Sequence, residues 1–311
     1  MGIFKNKEQY EGYNIYSMKK YVDKKRTIFT ITAIIVVVLT LALTIYYLVD
    51  TTVSLKKRKE FAKQVIEYEQ QQVELEKNIK EKQEAERLAK IPKLTEQGKE
   101  NLKNIYHTED KVAYLTFDDG PSNNTHEILD ILKQYNIKAT FFVLGSQVEI
   151  FQETTNRIYN EGHYIANHGY SHKYSKIYIS AEQVLNEFNQ CNQIVAKTIN
   201  VPEYNSHLFR FPGGLVGGKY AEIKKQAAAL LEQNDILHID WNALTGDSEK
   251  VNPTEDYLMN NLQKTADGKN SLVILMHDAQ AKHITVETLP KVIEYLQQQG
   301  YTFKNFYEII K

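Results

Sequence analysis

The chain has a single cysteine and almost no net charge, and each shortage closes off a class of protein. One thiol, Cys191, excludes an intramolecular disulfide and the thiolate-rich zinc sites. It reads as a small apolar filler on a helix between Val184 and Ile199. Thirty-eight Lys and Arg stand against 39 Asp and Glu, a net charge of -1. No global field therefore favours nucleic acid or any other acidic polymer.

Residues 27–49 contain no charged side chain at all and are dense in Ile, Val, Leu and Thr. As a helix this run would rise about 35 Å, enough for a hydrocarbon core of roughly 30 Å. It is too long for a cleaved signal peptide and lacks a small-x-small cleavage site beyond it. No cysteine stands beside it to carry a lipoprotein anchor. Lys19, Lys20, Lys24, Lys25 and Arg26 precede it, and Lys56, Lys57, Arg58 and Lys59 follow. That near balance tilts the positive-inside rule toward a cytoplasmic N-terminus. The expectation is a single-pass plasma-membrane protein. Residues 1–26 would lie inside, residues 27–49 would span the lipid, and the C-terminal domain would lie outside.

From Leu55 to Ala89 there is neither glycine nor proline, and Glu, Lys and Gln dominate. Phe61, Val65, Tyr68, Leu75 and Ile79 make a short 3-4 seam, interrupted at Gln72 and lost at Lys82 and Glu86. The pattern predicts a helical stalk of roughly 50 Å, with a seam that allows only weak self-association. Pro92 ends it, and the polar stretch to Asp110 reads as linker. Residues 50–110 are thus expected to form stalk and linker, and residues 111–311 a separate domain.

In that domain β-rich runs alternate with amphipathic helical patterns. The runs are Val112–Phe117, Ala139–Leu144, Tyr164–Asn167, Leu208–Phe211, Ile236–Asp240 and Leu272–Met276. Helical patterns lie near 124–135, 150–161, 181–199, 219–234, 254–266 and 286–299. The alternation predicts a parallel α/β architecture, a barrel or a doubly wound sheet. Asp118, Asp119, His168, His172, Arg210, Asp240 and His277 gather at or near the carboxyl ends of these runs. In a βα-barrel such positions meet at one mouth.

His168 and His172 are spaced i, i+4 but lack the intervening glutamate of zincin metalloproteases. Asp119 can complete a three-ligand set with an open position, which leaves Asp118 free as a base. An isolated Asp-Asp-Gly is ordinarily a turn or an N-cap, and an isolated His pair is commonly structural. Their joint placement after strands argues for a metal.

Five segments in order carry a resemblance: Thr116–Pro121, His168–His172, Phe209–Gly214, Asp240–Asn242 and Leu275–His277. They resemble the motifs of the polysaccharide deacetylase family, carbohydrate esterase family 4, also called the NodB-homology domain. The resemblance covers about residues 110–311. It implies a distorted (β/α) barrel that removes N-acetyl groups from amino sugars with one divalent metal, usually zinc, with Co2+, Mn2+ or Ni2+ as alternatives. Carried over by motif, Asp119, His168 and His172 would hold the metal, Asp118 would be the base and His277 the acid. Arg210 would sit against Asp118, and Asp240 would orient His277. Trp241 and Leu275 would wall the acetyl pocket, and the Gly213 N–H would help hold the oxyanion.

Three departures stand out. Gly169 replaces the usual Ser or Thr, Lys173 replaces a common proline, and Pro212-Gly213-Gly214 lacks the frequent aromatic. His107, His126, His163, His207, His238 and His283 match no motif and read as surface or packing residues. The expected substrate is N-acetylglucosamine of cell-wall peptidoglycan. The alternatives are another wall glycan or N-acetylmuramic acid, and a catalytically silent glycan-binding module. Retention of all five ligand and proton-carrier residues speaks against the silent module.

Overall fold

The apolar run folds as part of one long helix, α1 (Lys5–Val49). Its threonines fit because their hydroxyls are satisfied internally. Thr27, Thr30, Thr32, Thr40 and Thr44 each donate to the carbonyl four residues back. A helix so wired leaves these hydroxyl donors satisfied without an outside partner. Asp23–Tyr46 is long and apolar enough to cross a bilayer. The computed structural model describes the backbone of residues 5–49 and 55–310. The side chains at 19, 20 and 56–59, on which the orientation argument drew, lie outside those described.

Helix α2 (Leu55–Ala89) occupies the segment without glycine or proline. Lys63–Glu67 and Lys77–Glu81 pair along it at 3.8 and 3.9 Å, exposed and worth a few tenths of a kcal/mol at most, about what i,i+4 pairs supply. Tyr68, Leu75 and Ile79 are about half exposed. The chain divides into two units, Met1–Glu81 and Lys82–Lys311.

In the second unit the linker expectation fails. Thr95 caps a helix, α3 (Glu96–Lys103), by accepting from the Gly98 N–H. Leu102 and Ile105 are buried in one cluster with Phe306, Ile309 and Ile310 near the C-terminus. Residues 91–105 therefore belong to the domain. Their polar composition hid a few well-placed apolar residues.

The remaining elements alternate. They are β1 (Val112–Asp118), α4 (Asn123–Gln134), β2 (Thr140–Val143), α5 (Gly145–Ile150), α6 (Gln152–Asn160), β3 (Tyr164–Asn167), α7 (Tyr174–Ile177) and α8 (Ala181–Thr198). Then follow β4 (Leu208–Phe209), α9 (Ala221–Gln233), β5 (Leu237–His238), β6 (Ala243–Leu244), α10 (Glu255–Ala266), β7 (Ser271–His277), α11 (His283–Gln298) and β8 (Thr302–Lys304). The strands pair in the order β5-β4-β3-β2-β1-β7-β6, all parallel, with β8 against the start of β1. This is a curled, open half-barrel, which decides the question that periodicity left open. The fourth and fifth runs shrink to two residues each. Strands β6 and β8 were not expected, because two or three residues carry no detectable period.

Alternation along the strands sorts the core into two faces. Ala113, Leu115 and Phe117 of β1 join Leu272, Ile274 and Met276 of β7 under the helices. Val112, Tyr114, Phe142, Tyr164, Ala166, Leu208, Leu237, Ile239 and Val273 fill the concave side. By the same parity Thr116, Asp118, His168, Arg210, Leu275 and His277 belong to the concave face, at its upper rim.

Candidate active site

Register does the assembling. Asp118 lies opposite His277 in the β1–β7 ladder, and Asn167, just before His168, lies opposite Phe209, just before Arg210. Arg210 is fully buried and stacks over the Phe142 ring at 3.9 Å. Its guanidinium donates to Asp118 Oδ1 (2.8 Å), Thr116 Oγ1 (2.7 Å) and the carbonyls of Ile239 and Asp240. With Oδ1 so engaged, Asp118 Oδ2 is the oxygen facing the mouth, 3.9 Å from His168 Nε2. Burial raises the Asp118 carboxyl to about 6, against the opposing charges of Arg210 and His277.

Asp119, His168 and His172 converge. Asp119 Oδ1 lies 3.5 Å from His168 Nε2 and 3.3 Å from His172 Nε2. That oxygen is buried with no hydrogen-bond partner, as a metal ligand would be. One ligand atom from each residue lies within 4.8 Å of the other two. His168 Nδ1 sits 2.7 Å from the Arg210 carbonyl. A carbonyl only accepts, so Nδ1 carries the proton and Nε2 presents its lone pair. Burial and the neighbouring His172 also hold the His168 imidazole well below its ordinary value, so it stays neutral. The residues fit a divalent cation with two nitrogen donors and one oxygen donor.

The backbone bends to make this possible. Asp119 and His172 both adopt left-handed conformations, φ 74° and 53°, where non-glycine residues are strained. Gly120 follows with its Cα against the buried Asp278 carboxyl, where a Cβ would come to 2.0 Å. Thr125 donates to that carboxyl, so the turn after β1 is braced from beneath.

The loop that carries Gly169, between the two histidines, is braced by Glu187. This buried carboxylate on α8 accepts from the Tyr170 and Ser171 N–H groups at 2.7 Å and from Ser171 Oγ at 2.8 Å. An acidic residue among Val184, Phe188 and Cys191 on the apolar face of α8 was the available signal. The missing aromatic at Gly213 also has an account. Gly213 has φ 74°, and a Cβ there would meet the Tyr174 hydroxyl at 2.4 Å.

Asp240 does not orient His277. Its carboxylate accepts from the Leu215 N–H, at 2.9 and 3.2 Å. Leu237 and Ile239 face the concave side, so Asp240, one residue further, falls on the opposite parity. The partner is Asp247, whose Oδ1 lies 2.8 Å from His277 Nδ1 and whose Oδ2 accepts the His277 N–H at 2.7 Å. Thr285 Oγ1 donates to Oδ2 as well. Burial opposes ionisation of Asp247, but His277 outweighs it and holds the carboxyl below its ordinary value. Burial likewise opposes the imidazolium, and Asp247 overcomes it, raising His277 to about 9. Sequence reasoning missed Asp247 because the two-residue β6 before it gives no strand signal.

Trp241 is half-buried against the concave cluster and Leu275 is buried on β7. Cys191 is buried on α8 and His163 is buried among core residues. Gly213, in the turn after Arg210, is exposed at the mouth.

Residues 106–231 match the family described as polysaccharide deacetylase. Over 205 residues the chain is 33% identical to a peptidoglycan-N-acetylglucosamine deacetylase of Bacillus cereus, covering 64% of this chain and 71% of that one. The chain belongs to the polysaccharide deacetylase family. This places the protein among hydrolases that act on amide C–N bonds. A carbohydrate esterase family 4 structure from Streptococcus mutans superposes on this deacetylase with a TM-score of 0.61 at 31% identity, over 66% of this chain and 90% of that one. The peptidoglycan-N-acetylmuramic acid deacetylase PdaC of Bacillus subtilis is 33% identical over 192 residues, which span 61% of this chain and 37% of that protein.

Proposed function

We propose that the protein is a membrane-anchored, zinc-dependent N-deacetylase acting outside the cell on N-acetylglucosamine of peptidoglycan. The observation that carries the reading is one mouth holding three convergent ligand atoms, a buried carboxylate and a carboxylate-backed imidazole. A bound divalent cation would supply Lewis acidity, polarising the acetyl carbonyl and lowering the pKa of the attacking water to about 7. Asp119, His168 and His172 would hold it.

Asp118, steadied on one oxygen by Arg210, takes the water's proton on the other. The Gly213 N–H donates to the oxygen that becomes negative as water adds to the carbonyl. His277 delivers a proton to the departing nitrogen, so the C–N bond breaks to acetate and a free amine. Trp241 and Leu275 wall the space for the acetyl methyl.

The pH dependence follows from the Asp247–His277 pair. An acid raised to about 9 keeps its proton below that pH, so kcat/KM should decline above it. Asp247→Asn removes the charge that holds the proton, and the alkaline limb should move to lower pH. A limb left in place would reject the pairing.

The apolar helix Asp23–Tyr46 and the polar C-terminal unit support a single-pass topology with the N-terminus in the cytoplasm. Residues 27–49 would contact lipid, and the exposed Tyr68, Leu75 and Ile79 suit weak self-association of the stalk. Wall material from cells with and without the protein, digested and weighed by mass spectrometry, tests the substrate. Acetyl loss confined to glucosamine supports this reading. Loss on muramic acid, favoured by the Bacillus subtilis relative, or on another wall glycan, would replace it.

A further inference from the structure

The turn that carries Gly213 contains two adjacent glycines, both at positive φ, 74° and 71°. Glycine loses more backbone freedom on ordering than any other residue. A donor there needs outside support, and the structure supplies it. Gly214 N–H closes the turn on the Phe211 carbonyl at 2.7 Å, and Tyr178 OH donates to the Pro212 carbonyl at 2.7 Å. The next peptide, Gly214–Leu215, is gripped at both ends. Its carbonyl accepts from Lys224 Nζ at 2.5 Å, and its N–H donates to Asp240 Oδ2 at 2.9 Å. Cation at the oxygen and anion at the N–H both align with the peptide dipole.

Lys224 is otherwise hard to explain. It is 4% exposed on α9, near the apolar Ala227 and Leu231, and lies over the Tyr178 ring at 5.0 Å. Burying an ammonium is costly, and packing alone would be met by leucine or methionine. Its hydrogen bond goes to the backbone one residue beyond Gly213.

We infer that Lys224 and Asp240 form a hydrogen-bonded clamp that positions the Gly213 N–H to receive the oxyanion. They are positioning residues, and the inference rests on the deacetylase reading. Removing an oxyanion donor costs about 10²- to 10³-fold in kcat, so loosening one should cost about tenfold or more.

The test uses the full chain loaded with zinc and an N-acetylglucosamine pentamer, with thermal midpoints measured beside kcat, KM and the pH profile. Lys224→Met and Asp240→Ala should each lower kcat and leave KM nearly unchanged. Asp240→Asn should recover most of the loss, because its amide oxygen still accepts the Leu215 N–H. The double variant should lose little more than the worse single one, since both grips act on one peptide. The alkaline limb should stay where His277 puts it. Folded variants with undiminished kcat, fully additive losses, or an alkaline limb displaced by Asp240→Ala would overturn the clamp. If Lys224→Met fails to fold, the two Asp240 variants decide. No acetate from the parent protein would remove the deacetylase reading and the clamp with it, whereas an active parent with indifferent variants removes the clamp alone.

Discussion

Asp118→Asn is expected to lower acetate release by about 10²- to 10⁴-fold, the range for a lost proton carrier, while the protein keeps its metal. The amide nearly matches the carboxylate in shape, so an oxygen can still accept from Arg210, and the fold should tolerate the change. What disappears is basicity on the oxygen that faces the mouth. Asp118 is 2% exposed and locked to a fully buried Arg210, so its geometry is fixed by the fold and the change reads out its basicity. Elemental analysis of the variant separates the base from a ligand. Retained metal with lost turnover fits the base, whereas loss of both would make Asp118 a ligand, and near-normal turnover would strike out the assignment.

The second large effect is on Asp119. Asp119→Asn should release the metal and reduce turnover at least as far as the loss of a proton carrier, with partial recovery when excess zinc is added. Asparagine is the right replacement because it tolerates the left-handed backbone that position 119 adopts at φ 74°. Alanine there would mix a folding penalty with the chemical one. The substitution removes the negative charge from a buried oxygen that has no hydrogen-bond donor of its own. Chelator treatment of the parent protein should have the same effect and be reversed by zinc. A variant that binds metal stoichiometrically and turns over normally would mean the cation, if any, sits elsewhere.

Much of the site was legible because its residues are short-range markers of strand ends. Asp118-Asp119, His168 and His277 each follow an apolar run long enough to be recognised, and parity then sends Asp118, His168 and His277 to one face. Where the runs fall to two residues, the same logic gives out. The fifth run, Ile236–Asp240, contains a strand of only two residues, so Asp240 was credited with a partner that its parity denies it. Asp247 follows an even less visible strand, and it is the residue that holds His277. Glu187 lies on a well-recognised helix, yet only its approach to the Tyr170 and Ser171 N–H groups reveals its role.

The linker expectation failed for a related reason. Average polarity over residues 90–110 is high, but Ile91, Leu102 and Ile105 are buried, and burial of a few side chains decides where a segment packs. Composition averages over a stretch, whereas packing selects individual faces.

Local chemistry written along the chain was enough to mark the apolar span, the strand-helix alternation and the residues Asp118, Asp119, His168, His172 and His277 that meet at one mouth, because each depends on residues close in sequence. Tertiary structure alone decided the open half-barrel, the Asp247–His277 pairing, the Glu187 brace and the grip of Lys224 and Asp240 on one peptide. Those are contacts between segments 10 to 30 residues apart or more. They form only when the sheet, its helices and the loops at the mouth are assembled, and no local pattern encodes that assembly.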